Sequence, residues 1–80
     1  MRIEGKVHTI SNRGDIVARF PTYIPKHSVV LGVKRKEIGK VSWVFGPVDS
    51  PYIEITPKQK ILRPLAMIGR SVFVEEEKNE

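Results

Sequence analysis

The sequence predicts an all-β protein, folded as a small closed barrel of six strands. Six glycines and six prolines among 80 residues separate short runs rich in Val and Ile, which is typical of an all-β domain. No stretch has the apolar period of a long helix. A barrel is favoured over an open sheet because closure leaves no strand edge unpaired.

Six segments have the apolar pattern of strands, and turn residues separate them. They are Glu4 to Ile10, Asp15 to Phe20, Ser28 to Val33, Glu37 to Phe45, Tyr52 to Thr56 and Ser71 to Glu75. The first two are joined by a turn at residues 11–14, in which Gly14 can take a positive φ. The glycines inside the first and fourth strands, Gly5 and Gly39, indicate a bulge or a close approach of two backbones.

Two connections are irregular. Pro21 and Pro25 bracket the crossover between the second and third strands. The segment Lys58 to Met67 has apolar residues that suit one helical turn, but Pro64 argues against a longer helix. Both connections are therefore expected to lie outside the ladder of strands.

The fourth strand carries apolar side chains on both faces. In the absence of a bulge, alternation places Val41, Trp43 and Phe45 on one face. Ile38 and Val44 then lie on the other face. One face can fill the barrel, so the other is expected to form a patch that a partner covers.

The chain is long enough for one domain, which is expected to span residues 1–74. Residues 75–80 form an acidic tail with a net charge of −3 and are expected to be disordered. Removing this tail from the chain's formal charge of +5 leaves +8 on the barrel. Such a basic body suits a polyanion or an acidic protein partner, although solubility alone can also explain it.

Composition excludes several kinds of site. The absence of Cys excludes disulfides, Cys-ligated zinc and thiol catalysis, and it fits a reducing cytoplasm. No apolar run approaches the ~20 residues of a membrane span, and no signal-peptide core follows Met1. A cytoplasmic protein without a membrane partner is expected. His8 and His27 are too few for a metal site and are interpreted as exposed residues.

Enzymatic activity is not predicted. Neither GxxxxGK nor GxGxxG occurs, so no phosphate-binding loop is expected. Asp15, Glu37, Asp49 and Glu54 sit in or beside four different turns and strands, so no carboxylate pair for acid–base chemistry can be assigned. No cofactor, metal or small-molecule ligand is expected.

One connection, within VFGPVDSPYIEI (Val44 to Ile55), is too apolar and too stiff for a simple hairpin turn. Its two prolines fix φ and reduce the entropy lost on docking, and its glycine lets the backbone approach a partner. Phe45, Val48 and Tyr52 would then be apolar anchors. The alternative is that Phe45 and Tyr52 fill the barrel and the prolines only stiffen a turn.

The segment IGKV (Ile38 to Val41), followed by FGPVDSPY (Phe45 to Tyr52), resembles the signature of the Gar/Naf family. Members are the small barrel subunits of box H/ACA ribonucleoproteins, the RNA-guided pseudouridine synthases. The segment Gly5 to Phe20 is similar to the family's first hairpin, and the resemblance extends to Pro57. The chain lacks the Gly-Arg-rich tails of eukaryotic members and so looks like the short archaeal type.

The resemblance implies a six-stranded barrel like that of translation elongation factors and the reductase-isomerase domain. It implies a non-catalytic subunit that docks on the catalytic domain of the pseudouridine synthase. There it would aid loading and release of substrate RNA, in rRNA modification and ribosome biogenesis. Guide RNA and the other H/ACA proteins would be indirect partners. The expected docking residues are Ile38, Gly39, Phe45, Gly46, Pro47, Val48, Pro51 and Tyr52.

Family members often carry an Asp and a Gly in the turn before IGKV, and this chain has Gly32 and Arg35 there. Two basic clusters flank the fourth and fifth strands. They are Lys34, Arg35 and Lys36, and Lys58, Lys60 and Arg63. They suit either solvated turns or a second contact, to the partner or to RNA. A free-standing RNA-binding barrel is the alternative function, although no aromatic residue lies between these cations to stack a base.

Overall fold

The strands form a closed antiparallel barrel, as the sequence predicts. A computed structural model describes residues 2–75 of the chain. The strands are β1 (Arg2–Ile10), β2 (Ile16–Arg19), β3 (Val29–Leu31), β4 (Glu37–Phe45), β5 (Tyr52–Pro57) and β6 (Ser71–Glu75). A 3₁₀ turn, Pro64–Met67, precedes β6. The order around the barrel is β1-β2-β5-β4-β3-β6.

The predicted ends of β4 and β6 are confirmed, whereas the other strands differ in length. β3 is the shortest, because the backbone N–H of Gly32 bonds to the Lys36 carbonyl and closes a turn that was expected to be strand. β1 and β5 are longer than predicted and β2 is shorter. Of the expected tail, Glu75 is the last residue of β6, and the rest lies outside the described residues.

The barrel interior is apolar and comes from all six strands and from the crossover after β2. No polar or charged residue among those described is buried. The largest fully buried side chains are Phe20, Ile16, Ile24, Ile53, Ile55, Val30, Val41 and Val72. Each contributes on the order of 1.5–3 kcal/mol by leaving water, so this core is the main source of stability.

The turn between β1 and β2 has the conformation that its sequence predicts. Gly14 has a φ of 86°. Its backbone N–H donates to the Ser11 carbonyl at 2.9 Å. The Ser11 hydroxyl accepts from the backbone N–H of Asp15 at 3.1 Å, so the side chain and the glycine together fix the turn.

The two strand glycines mark close approaches, and the bulges lie elsewhere. A Cβ on Gly5 would lie 2.7 Å from the Phe20 ring, and one on Gly39 would overlap the Thr56 carbonyl oxygen. The register of β1 against β2 shifts between Val7 and Thr9, at His8. The register of β3 against β4 shifts at Ile38, so a second bulge lies directly before Gly39.

The expected alternation along β4 is wrong beyond Val41. The pairing with β5 shifts between Val41 and Trp43, where a bulge inserts one extra residue. Val41 is buried, Val44 packs against the core, and Trp43 and Phe45 lie on the outer face. The bulge thus places Trp43 and Phe45 on the face opposite to that of buried Val41.

The segment between β5 and β6 forms a single 3₁₀ turn, which confirms that Pro64 permits no longer helix. Ile61 and Met67 pack from this segment against the core. Across residues 2–75, no helix has the length and apolar character that a membrane crossing needs.

Candidate docking surface

The loop between β4 and β5, residues 46–51, projects from the end of the barrel and is called the docking loop below. Val48 at its tip is 88% exposed. Gly46 has a φ of 94°, and a Cβ there would lie 3.0 Å from the Tyr52 ring. Glycine is therefore required on two grounds, backbone conformation and space. The loop presents an apolar tip on a constrained backbone.

An aromatic pair supports the loop at its base. Phe45 and Tyr52 face each other across β4 and β5, with ring centroids 5.6 Å apart and an angle of 21° between the planes. The His8 ring lies 5.3 Å from Tyr52 on the other side. Phe45 is 42% exposed and Tyr52 is half-buried, on the outer surface. The alternative that these two rings fill the barrel is therefore wrong.

Two cationic side chains contact aromatic rings on this side of the barrel. The guanidinium carbon of Arg19 lies 5.2 Å from the Tyr52 ring centroid, and its Nη2 donates to Ser50 Oγ at 3.0 Å. Lys26 Nζ lies 4.5 Å from the ring centroid of Trp43, which is 52% exposed. Cation–π contacts of this kind contribute roughly 0.5–1 kcal/mol each at exposed sites. The candidate surface thus has exposed apolar side chains, with two cations, Arg19 and Lys26, and one acid, Asp49, beside them.

Trp43 belongs to the same surface because it lies on the outer face of β4, as Phe45 does. Same-face neighbours on a strand are about 7 Å apart. Trp43 and Phe45 are thus neighbours on the outer face, and exposed Val48 lies in the loop that follows β4. Trp43 was expected in the core or in an interface, and its exposure excludes the core.

Two of the expected docking residues offer no surface, and a third is partly covered by the core. Gly39 and Pro51 are buried, and Ile38 is half-buried against the core. Gly39 pairs with Pro57 and Phe45 with Tyr52, so Ile38 and Gly39 lie about 20 Å along β4 from the loop. The expected extension of the patch to Ile38 and Gly39 is wrong. The exposed contacts that remain are Phe45, Gly46, Pro47 and Val48, with Tyr52 half-exposed.

The two basic clusters converge at the opposite end of the barrel. Lys34, Arg35 and Lys36 are exposed in the β3–β4 turn, where Arg35 has a φ of 63°. Exposed residues Lys58, Lys60 and Arg63 follow β5. Lys36, Lys58 and Lys60 line one cleft, and Lys58 Nζ lies 3.8 Å from Glu37 Oε1. The fold therefore joins two sequence clusters into one basic surface.

A carboxylate pair that the sequence did not predict lies beside β2 and β5. Ile16 pairs with Ile55, which brings the neighbouring residues Asp15 and Glu54 into one cleft. A hydrogen bond with Asp15 raises the pKa of Glu54; partial burial and the Asp15 charge add to this effect, and Arg13 opposes it. Among residues 2–75, no three His, Cys, Asp or Glu side chains are grouped to hold a metal.

Replacing Glu54 by Gln is expected to raise the melting temperature slightly at pH 7. The folded protein keeps the Glu54 proton above the ordinary pKa of 4.5, so it binds more protons than the unfolded chain. The contribution of Glu54 to stability should therefore fall as the pH rises from 4.5 through the raised pKa, and Glu54→Gln should remove that contribution. Thermal unfolding between pH 3.5 and 7 compares the two proteins, and a difference in melting temperature that does not change with pH would contradict the raised pKa.

Comparison with known proteins places the chain among archaeal sequences. It is 38% identical over 61 residues to an uncharacterised protein of Methanothermobacter thermautotrophicus, and the match covers 76% of this chain but only 66% of that protein, just under two thirds. It is 35% identical over 68 residues to an uncharacterised protein of Methanocaldococcus jannaschii, which covers 85% of this chain and 78% of the relative. No family model matches the chain.

Proposed function

We propose that the chain, which belongs to the same family as the Methanocaldococcus jannaschii protein, is a non-catalytic docking subunit of an RNA-guided pseudouridylation particle in the archaeal cytoplasm. Its partner is the catalytic domain of the pseudouridine synthase. The proposal draws on the resemblance of IGKV and FGPVDSPY to the Gar/Naf signature. The observation that carries it is the exposed, stiffened loop with Val48 at its tip.

Three structural features support docking rather than a solvated turn. The loop is pinned by Arg19 on Ser50 and by the left-handed conformation of Gly46, so little entropy is lost when a partner binds. Trp43 and Phe45 supply large amphipathic side chains, which dominate protein interfaces. Because both prolines lack an N–H, the loop has fewer backbone groups to desolvate.

The charge around the patch indicates what the partner surface carries. Arg19 lies beside Tyr52 and Lys26 beside Trp43. An acidic rim around an apolar pocket on the synthase would complement them and would speed the encounter of the two proteins. The contact is therefore expected to weaken only moderately with salt, since its centre is apolar.

Calorimetry tests this function directly. The purified protein is titrated into the pseudouridine synthase subunit without guide or substrate RNA, at two salt concentrations. One-to-one association without RNA, with a negative heat-capacity change, is expected because apolar surface is buried. Absence of binding to the bare synthase would overturn the proposal.

A free-standing RNA-binding barrel is the second candidate, and the convergence of the two basic clusters in one cleft favours it. The matched test replaces Lys34, Arg35 and Lys36 together by Ala. Under the docking proposal, this variant binds the synthase within about twofold of wild type, because the turn lies at the far end of β4. Under the alternative, the wild type binds poly(U), and the variant lowers the salt slope of that affinity by roughly two.

A further inference from the structure

The segment between β5 and β6 has a burial period of three residues. Ile61, Pro64 and Met67 are half-buried. The residues that follow them, Leu62, Leu65 and Ile68, are 91%, 76% and 44% exposed. The 3₁₀ turn covers only Pro64–Met67, so Leu62 and Ile68 lie just outside it. The three exposed side chains belong to one short segment and are together called the aliphatic ridge below.

The aliphatic ridge is not needed to close the barrel. The inward row already anchors the segment, since Ile61 and Met67 pack against the core. A single exposed leucine is ordinary, but three large aliphatic side chains exposed in one short segment add apolar surface that water solvates poorly. The ridge therefore indicates a surface that a partner covers.

The ridge is held in a fixed position before any partner binds. The backbone N–H of Gly69 donates to the Val7 carbonyl at 2.8 Å, and the N–H of Val7 donates to the Arg70 carbonyl at 2.9 Å. Ile68 N–H closes the turn on the Leu65 carbonyl at 3.3 Å. Because β1 fixes the backbone at Gly69 and Arg70, ordering the part of the ridge around Leu65 and Ile68 would cost little on binding.

The positive charge of the segment that carries the ridge favours some kinds of partner over others. Residues 58–70 contain four cations and no acidic residue. Two copies of the chain would bring these cations together, which disfavours self-association. The segment has no aromatic side chain to stack a base, which disfavours single-stranded RNA. A single four-residue turn is too short to lie in a membrane as an amphipathic helix.

We propose that the aliphatic ridge docks an acidic amphipathic helix of a second protein. Leu62 and Leu65 enter the groove between apolar residues on that helix. Glutamates or aspartates along its flanks pair with Lys60, Arg63 and Arg70. The docking loop precedes β5 and the ridge follows it, so the two surfaces are formed by different loops of the barrel. If the docking loop binds the synthase as proposed above, the ridge gives the barrel a second partner.

An NMR titration tests the proposal. The ¹⁵N-labelled protein is titrated with a synthetic helical peptide that has leucines on one face and glutamates along both flanks. We expect shift changes at residues 60–70 and none at the docking loop. Leu65→Ser should weaken binding about tenfold, as truncation of a central interface side chain does. Val48→Ser, an exposed site at the other end of β5, should leave it unchanged.

The same spectra show that each variant is folded, so a loss of binding is not a loss of structure. The proposal is overturned if the glutamate peptide causes no shifts, or if the shifts persist in Leu65→Ser. A peptide with lysines in place of the glutamates should not bind, and equal binding would overturn the charge argument. Binding of phosphatidylglycerol vesicles or poly(U) through Leu65, without peptide binding, would assign the ridge to another partner.

Discussion

Replacing Gly39 by Ala is expected to destabilise the barrel by roughly 3 kcal/mol or more, at the upper end of overpacking effects. The added Cβ would overlap the Thr56 carbonyl oxygen and would lie 2.9 Å from Cα of Pro57. All of these atoms belong to the backbone of β5, so no side-chain rotation can make room. The strands β4 and β5 would have to separate where they pair. For a domain of this size, the loss is a large part of the total stability.

Gly32→Ala is the matched control. Its new Cβ would meet the Ile38 side-chain terminus at 3.3 Å, and that terminus can move. Urea unfolding followed by far-ultraviolet circular dichroism compares the two variants with wild type. A midpoint near wild type for Gly32→Ala and a much lower one for Gly39→Ala are expected. Equal midpoints would show that the strands at Gly39 can separate at little cost.

The elements that follow from local chemistry were predictable from the sequence. Gly14 in the β1–β2 turn, the ends of β4 and the single turn at Pro64 all depend on residues within a few positions. Closure of the barrel was predictable for a different reason, since six short strands in one small domain leave few other ways to pair every edge.

Features that depend on register between distant strands were not predictable. The bulge between Val41 and Trp43 arises from the pairing of β4 with β5, and it reverses the face on which Trp43 and Phe45 lie. The meeting of Asp15 and Glu54 likewise follows from the pairing of β2 with β5. A pattern of alternation contains no information about which residue a partner strand skips.

The candidate docking surface was predictable in its loop but not in its extent. Gly46, Pro47 and Val48 are exposed, as the apolar, proline-containing sequence of the loop suggested. Ile38 and Gly39 do not belong to that surface, because they lie at the other end of β4. Trp43 was not among the expected docking residues, since the sequence does not show the bulge that turns this side chain outward.

Val48→Asp is expected to abolish binding to the pseudouridine synthase, with a loss of at least about a hundredfold. The side chain is 88% exposed in the free protein, so the variant should fold normally. Docking would bury the new carboxylate in an apolar contact without a partner, which costs several kcal/mol. An acidic rim on the synthase would repel it as well. Calorimetry without RNA measures the affinity, and circular dichroism verifies the fold.

Val33→Asp makes the same chemical change at a comparable exposure. Val33 is 64% exposed in the β3–β4 turn, at the end of β4 away from the docking loop. This control should keep wild-type affinity, because net charge changes equally in both variants and only the position differs. If both variants lose binding, the net charge of the barrel controls association. If both retain it, the synthase does not contact the loop. Loss in Val48→Asp alone would locate the contact at the loop tip.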